Sequence, residues 1–245
     1  MKERVWEQYL TSQDKAHLAL KPGKSIGFGE KPALLLIDLY RGVFGDQPQP
    51  LLEALEEWPG SCGIAAWDSI PYIQTLLKAA RDAGIPVIHM TGLDQDGLEG
   101  WGVRREVPRT HINTDAEERR RRRYDIIDEV APLPGEAVLR KASPSAFWGT
   151  PLVGHLNFLG VDTLITCGES TSGCVRASVV DGCTNRYRMS VVEECVFDRH
   201  QATHAMNLFD MNQKYADVIP LADALEYIAV WHAEHSGNSS SSLDA

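Results

Sequence analysis

Cys174 is the residue whose setting in this sequence most favours chemistry. It follows residues 161–167, a short apolar run rich in β-branched side chains, and then residues 168–173, which read GESTSG. A strand is therefore expected over the first segment and a helix from residue 172 or 173 onward. Unpaired N–H groups and the helix dipole at that position lower the pKa of a thiol. Cys174 is thus a candidate nucleophile, although free cysteines are also common as small buried apolar side chains.

Two other candidate residues follow predicted strands. Residues 33–37 read ALLLI, a run typical of a strand buried on both faces of a parallel sheet, and Asp38 comes directly after it. Residues 136–140 read EAVLR, a short strand, and Lys141 comes next, before a small polar turn. Taken singly, Asp38 is better explained as a turn or capping residue, and Lys141 as an exposed lysine.

Strands and helices alternate along nearly the whole chain. Helical spacing over residues 67–83 and 150–159 ends at a glycine in each case, and further helices are expected after Cys174 and over residues 201–215 and 222–232. This alternation predicts a three-layer, doubly wound α/β fold, with a mostly parallel six-stranded sheet and helices on both faces.

In that fold the three candidate residues converge. The carboxyl ends of parallel strands border one crevice, where open α/β sheets bind their ligands. Asp38 and Lys141 each end a strand, and Cys174 opens the helix after one, so all three can line that crevice. A thiol, a carboxylate that takes its proton and an ammonium that stabilises both charges form an activated cysteine nucleophile.

Composition restricts the class of protein and its partners. The 245 residues include 34 acidic and 24 basic side chains, a formal net charge of −10. This balance argues against nucleic acid or an anionic membrane as a partner, and no segment has the ~20 apolar residues of a membrane span. The 5 cysteines contain no CxxC pair, which favours a reducing, cytoplasmic location. His89 lies in a predicted strand without a second nearby ligand, so a core histidine is favoured over a metal site.

A single domain is predicted over residues 32–232. Residues 1–31 are polar and are expected to form an arm that packs on the body or on a partner subunit, and residues 233–245 form a low-complexity tail. Residues 45–66 are rich in Pro, Gly and Glu and are expected to be a surface loop. The five arginines at 119–123 are flanked by acidic residues, so a solvated helical face or a subunit contact is favoured over a nucleic-acid contact.

Three motifs resemble the isochorismatase-like cysteine hydrolases, and most closely the N-carbamoylsarcosine amidohydrolase branch of that family. They are the strand ending in Asp38, Lys141 with its Ser-rich turn and Phe147, and the stretch GESTSGCVRAS around Cys174. The resemblance extends over about residues 30–232 and is more specific than any one motif. It implies that Asp38, Lys141 and Cys174 form a catalytic triad.

The same resemblance implies roles for neighbouring residues. The family carries a cis peptide bond that here falls between Glu169 and Ser170, and the N–H groups of Ser170 and Cys174 would hold the developing oxyanion. Arg199 matches the arginine that binds the substrate carboxylate, and a surface arginine at a helix start is the alternative. Glu169 departs from the family, in which a small apolar residue is expected, and it leaves the charge and shape of the substrate open.

The resemblance also implies a reaction. A hydrolase without metal or cofactor is expected, since the Asp-x-His and His ligands of related nicotinamidases have no counterpart in the sequence, and the family tends to form homotetramers. Cys174, which true isochorismatases lack, favours amide over vinyl-ether hydrolysis. The leading hypothesis is an amidohydrolase that cleaves a C–N bond of a small N-carbamoyl or carboxamide substrate, similar to N-carbamoylsarcosine, and releases ammonia through a covalent acyl-enzyme. The alternatives are a maleamate- or biuret-type amidase with the same triad, or a non-enzymatic binding protein.

Overall fold

The computed structural model describes residues 4–20, 25–93 and 114–236. Within these residues the centre of the fold is a sheet of six parallel strands in the order β3-β2-β1-β4-β5-β6. The strands are β1 (Pro32–Ile37), β2 (Val87–Gly92), β3 (Ala137–Lys141), β4 (Thr163–Glu169), β5 (Arg188–Phe197) and β6 (Asp217–Ile219). The predicted doubly wound α/β fold is thereby confirmed.

Helices connect the strands and cover both faces of the sheet. They are α1 (Ser12–Leu20), α2 (Arg41–Phe44), α3 (Leu51–Glu57), α4 (Ile64–Ala83), α5 (Thr114–Arg122), α6 (Leu152–Leu159), α7 (Arg176–Thr184), α8 (Gln201–Lys214) and α9 (Leu221–His235). A π-helical turn, Thr171–Val175, precedes α7. None of the helices in the described ranges combines the length and the apolar run that a bilayer span requires.

The two faces of the sheet bury separate apolar clusters. Leu34 and Leu36 of β1 belong to the first cluster, whereas Ala33, Leu35 and Ile37 belong to the second. Helices α4 and α9 cover the first face, and α6, α7 and α8 cover the second, through residues that include Ile73, Ile228, Leu156, Val179 and Leu208. Because both faces are covered, every residue of β1 is buried, which explains its unbroken apolar sequence.

The order in which successive strands are added to the sheet reverses at the boundary between β1 and β4, which lie side by side. Strands β1, β2 and β3 follow one another toward one edge, and β4, β5 and β6 toward the other. β1 and β4 pair in parallel up to Ile37, which lies opposite Gly168. Ligands bind at such a switch point, in the crevice beyond the carboxyl ends of the strands. Asp38 follows β1 and the turn with Cys174 follows β4, so the fold places both at this crevice.

Segment 45–66 is not the surface loop that its composition predicts. It contains α3 and the start of α4, and Trp58 and Cys62 are only 3% and 2% exposed. The Trp58 indole donates to the Asp46 carboxylate at 3.2 Å, and the Cys62 N–H donates to the Val43 carbonyl at 2.9 Å. Trp58 and Cys62, two of the few apolar side chains of this polar segment, are therefore buried in the core and held there by these contacts.

The amino-terminal arm packs on the body of its own chain. Trp6 is 5% exposed and joins the second apolar cluster, where its ring centroid lies 6.2 Å from that of Phe209. Arg4 forms an ion pair with Glu193 of β5 at 2.5 Å. At the other end of the domain, α9 continues to His235, beyond the predicted boundary at residue 232.

The arginine run lies largely in α5. Residues 119–122 form the end of this helix, and Arg121, whose side chain is 77% exposed, lies 3.7 Å from Glu117 one turn earlier. This contact agrees with a solvated helical face. Residues 94–113, before this helix, and the tail residues 237–245 lie outside the described residues.

At Gly168, the backbone of β4 lies very close to the backbone of β1. Its φ is 122°, and a Cβ added there would overlap the Ile37 carbonyl oxygen. Gly168→Ala is therefore expected to lower the free energy of unfolding by about 3 kcal/mol or more, because backbone strain and overlap add. Urea denaturation measures this loss.

The matched control for that substitution is Gly154→Ala. Gly154 lies in α6, and an added Cβ would have no atom within 4 Å. This change is expected to be neutral or to stabilise the fold by about 1 kcal/mol, since alanine favours helix. Equal losses in the two variants would contradict the steric explanation.

Candidate active site

Asp38, Lys141 and Cys174 meet in the crevice at the switch point. Lys141 Nζ lies 2.8 Å from Asp38 Oδ2 and 3.4 Å from Cys174 Sγ. The three residues are 0%, 1% and 2% exposed. The structure thus brings together the three residues selected from the sequence, in an arrangement that can move a proton between a thiol and a carboxylate beside a fixed positive charge.

Strand ends position each of these side chains. Asp38 has a φ of 57°, a left-handed conformation that few residues other than glycine adopt, and its N–H donates to the Met90 carbonyl of β2 at 2.9 Å. Lys141 closes β3 and also donates to the Ser143 carbonyl at 3.1 Å. Cys174 lies in the π-helical turn before α7. Unusual backbone of this kind is concentrated at functional sites.

Burial dominates the electrostatics of the three groups. It raises the pKa of the Cys174 thiol far above its ordinary value; the charge of Asp38 adds to this effect and that of Lys141 opposes it. Burial also raises the pKa of Asp38, against the opposing charge of Lys141. For Lys141, burial lowers the pKa, but the charges of Asp38 and Cys174 outweigh it, so the net shift is upward. The thiol is therefore protonated and the ammonium charged in the resting site.

The expectation that the helix end lowers the pKa of Cys174 is therefore wrong for the resting site. The sulfur is buried in the turn before α7, and the cost of desolvating a thiolate there, together with the nearby charge of Asp38, raises the pKa of Cys174. A carboxylate oxygen of Asp38 lies within 4.8 Å of the Cys174 sulfur, so Asp38 is positioned to accept the thiol proton.

A second charged pair lies beside these groups. Glu169, the last residue of β4, is 5% exposed, and its Oε1 accepts a hydrogen bond from Arg199 Nη1 at 3.0 Å. The Cys62 thiol donates to the same oxygen at 3.6 Å, and Arg199 also donates to the Gly60 carbonyl. Burial raises the pKa of Glu169 to about 7, with Arg199 opposing the shift. The peptide bond from Glu169 to Ser170 is cis.

Side chains at the end of β5 and in α8 hold the loop between β4 and α7. Ser172 donates to the Asp198 carboxylate through its N–H at 2.9 Å and its hydroxyl at 2.6 Å. The Thr171 hydroxyl donates to the Phe197 carbonyl at 3.1 Å, and its oxygen lies 2.8 Å from His204 Nδ1. Sequence analysis did not identify Asp198 or His204; the position of Asp198 next to Arg199 was the one available signal.

Possible metal ligands in the described ranges cluster at this same site. Asp38, Glu169 and Cys174 each offer one ligand atom, and these atoms lie within 4.8 Å of one another. The Lys141 ammonium contacts both Asp38 and Cys174. The protein therefore supplies a positive charge to this cluster from one of its own side chains.

His89 is a core histidine. It is 1% exposed within β2, and its Nε2 lies 3.0 Å from Glu136 Oε2. Glu136 is also paired with Arg81 at 2.7 Å. Burial lowers the pKa of His89, with Glu136 opposing the shift. These contacts explain why a histidine is buried at this position, and a bound ligand is not needed to explain it.

Sequence comparisons identify relatives over most of the chain. Residues 32–223 match the Isochorismatase domain family. The chain is 38% identical over 211 residues to the maleamate amidohydrolase of Pseudomonas putida, covering 84% of this chain and 91% of the relative. It is 31% identical over 213 residues to the N-carbamoylsarcosine amidase of an Arthrobacter species, covering 84% of this chain and 74% of the relative. The family resemblance inferred from three motifs is confirmed.

Solved structures share the fold. A cysteine hydrolase from Pseudomonas syringae pv. phaseolicola has a TM-score of 0.69 at 18% identity, covering 86% of this chain and 99% of that chain. The N-carbamoylsarcosine amidase of Thermoplasma acidophilum has a TM-score of 0.59 at 22% identity, covering 78% of this chain and 96% of that chain. The chain therefore belongs to the isochorismatase family and is a hydrolase among relatives named amidohydrolases and amidases.

Proposed function

We propose that this hydrolase is a cysteine-dependent amidohydrolase that releases ammonia from a small carboxamide or N-carbamoyl compound. The observation that carries the proposal is the buried contact of Lys141 with Asp38 at 2.8 Å and with Cys174 at 3.4 Å. A nucleophile, a base and a fixed cation within hydrogen-bonding distance are what covalent acyl transfer requires. The names of the relatives indicate the class of bond.

In the first half-reaction, Asp38 accepts the proton of the Cys174 thiol as Sγ attacks the carbonyl carbon. Lys141 stabilises the negative charge as it moves between the two groups. The N–H groups of Ser170 and Cys174 are the proposed oxyanion donors, each typically worth about 3 kcal/mol. The S–C bond forms and the C–N bond breaks. Asp38 then returns the proton to the departing nitrogen, so ammonia leaves and a thioester or thiocarbamate remains.

In the second half-reaction, Asp38 takes a proton from water as the water oxygen attacks the same carbon. The S–C bond breaks, and Cys174 leaves as a thiolate and regains the proton from Asp38. Lys141 stays charged throughout. The cycle therefore consumes one water, releases one ammonia and the corresponding acid, and restores the protonated thiol.

Several finer expectations stay predictions. Arg199 is expected to contact the substrate, although its guanidinium is engaged with Glu169. Homotetrameric assembly, to be checked by light scattering, is carried by the family resemblance alone, and a cytoplasmic location is carried by the cysteine pattern of the sequence alone. The triad is the same for N-carbamoylsarcosine-like, maleamate-type and biuret-type substrates, so it supports the chemistry and leaves the substrate open.

The test is ammonia release from a panel of amides. The panel contains N-carbamoylsarcosine, other N-carbamoyl amino acids, maleamate, maleamide, biuret and nicotinamide, with a Cys174→Ala protein alongside. We expect turnover of at least one compound by the unmodified protein and none by the variant. If no compound of the panel released ammonia and iodoacetamide did not alkylate Cys174, the proposal would be contradicted.

A further inference from the structure

Glu169 brings a second carboxylate to the reacting sulfur. One carboxylate oxygen of Glu169, one of Asp38 and the Sγ of Cys174 lie within 4.8 Å of one another. Glu169 is 5% exposed, so water and salt screen its charge weakly. A substrate whose carbonyl carbon lies at Sγ therefore has Glu169 as an immediate neighbour.

Glu169 also engages the arginine that the family resemblance assigns to a substrate carboxylate. Arg199 donates to Glu169 at 3.0 Å and to the Gly60 carbonyl, so its charge is already matched within the protein. Among the residues that the structure describes, the charged groups in this part of the crevice are Asp38, Glu169, Asp198, Lys141 and Arg199. Within that set, three carboxylates face two cations. A substrate carboxylate would add to an existing surplus of negative charge.

Resting on the proposed amidohydrolase function, we propose that Glu169 selects substrates in which the group next to the reacting amide is an uncharged carboxamide or ureido group. Such a group can donate an N–H to Glu169 and accept from the Arg199 guanidinium through its carbonyl oxygen. A carboxylate accepts but cannot donate, and it meets a like charge. Diamides and ureides are therefore preferred over amides that carry a free carboxylate.

The charge of Glu169 sets the conditions for a test. Burial raises its pKa to about 7, Arg199 opposes the shift, and Asp38 adds to it. At about pH 8.5 the carboxyl is therefore ionised. Among the described residues, the titratable and charged groups around Glu169 are Cys62 before α4, Asp38 and Tyr40 after β1, Lys141 at the end of β3, Cys174 before α7, and Asp198 and Arg199 after β5.

The decisive probes are iodoacetamide and iodoacetate, which have nearly the same shape and differ in charge. Their rates of reaction with Cys174 are measured at about pH 8.5 by peptide mass mapping, and glutathione supplies the intrinsic ratio of the two rates. Cys183, the half-buried cysteine of the chain, serves as an internal reference. This readout does not depend on turnover, so it stands apart from the test of the proposed function.

We expect the ratio of iodoacetamide to iodoacetate rates at Cys174 to exceed that of glutathione by about tenfold or more, because the anion is repelled. In Glu169→Gln and Glu169→Ala the ratio is expected to fall by about tenfold or more, mainly through faster reaction with iodoacetate. Glu57→Gln, which removes an exposed carboxylate from α3, is the matched control and should leave the ratio within about twofold.

A further variant separates the contribution of the arginine. If Arg199 becomes available when Glu169 is removed, adding Arg199→Met to Glu169→Ala should cancel most of the gain with iodoacetate. We expect these variants to change the ratio of kcat/KM for maleamide to kcat/KM for maleamate in the same direction as the ratio of the two alkylation rates. Glu169→Ala should shift that preference toward maleamate.

Three alkylation results and one turnover result would overturn the proposal. One is a ratio at Cys174 equal to that of glutathione in the unmodified protein. A second is a ratio that Glu169→Gln and Glu169→Ala leave unchanged. The third is a Cys174 that reacts with neither reagent, because the proposal requires a small uncharged molecule to reach the sulfur. Turnover of maleamate but not maleamide would leave the amidohydrolase function standing and remove the role of Glu169.

Discussion

Replacing Cys174 by alanine is expected to lower kcat for ammonia release by about 10⁴-fold or more, because no covalent intermediate can form without the sulfur. The fold should survive the change. Cys174 is 2% exposed, and the loss of one buried sulfur atom costs about 1 kcal/mol. Ammonia assays measure the first effect, and thermal unfolding measures the second.

The matched control for this prediction is Cys183→Ala. Cys183 lies on α7, is only half-buried and has no place in the proposed chemistry. Its replacement should leave kcat within about twofold of the unmodified protein. If Cys174→Ala kept more than about a tenth of the activity, or if both variants lost activity equally, Cys174 would not be the nucleophile.

Lys141→Met is expected to lower the free energy of unfolding by about 3–5 kcal/mol near neutral pH and to abolish turnover. The side chains of Lys141 and Asp38 are both 0% exposed and lie 2.8 Å apart. Methionine keeps the length of the side chain and removes its charge, so a carboxylate is left buried without its cation. Urea denaturation and the ammonia assay measure the two effects separately.

The size of that loss should depend on pH. Without Lys141, burial acts on Asp38 with less opposition, so the pKa of this carboxyl rises further above its unfolded value. An acid with a raised pKa in the folded state destabilises the fold only where the unfolded chain is ionised. The loss in free energy of unfolding caused by Lys141→Met is therefore expected to be small at about pH 4 and to grow as the pH rises.

A double variant separates stability from catalysis. Asp38→Asn combined with Lys141→Met removes both charges, so much of the lost stability should return while activity stays absent. Lys78→Met is the control, since Lys78 is 75% exposed and its ion pair with Asp82 lies on the surface. That change should alter stability by less than about 1 kcal/mol. A double variant as unstable as Lys141→Met alone, or one that turns over substrate, would contradict the assignment.

The strands and the three candidate catalytic residues could be predicted from the amino-acid sequence. The apolar run of β1 is explained only by burial on both faces, and Asp38 and Lys141 stand at strand ends. The carboxyl ends of parallel strands share one edge of the sheet, so groups at these positions converge whatever their separation along the chain. Periodicity and strand ends are local features, which is why the meeting of Asp38, Lys141 and Cys174 could be predicted.

The pKa shifts of these groups and the residues that surround them became known from the packed fold. Glu169 meets Cys62 and Arg199, which are 107 and 30 residues away along the chain, and no local pattern encodes those contacts. The buried side chains of segment 45–66 and the upward shift in the pKa of Cys174 reversed what local reasoning predicted. Desolvation and ion pairing are sums over neighbours that are distant in sequence. The sequence therefore identified the three candidate groups, and the packed fold set the direction of their pKa shifts.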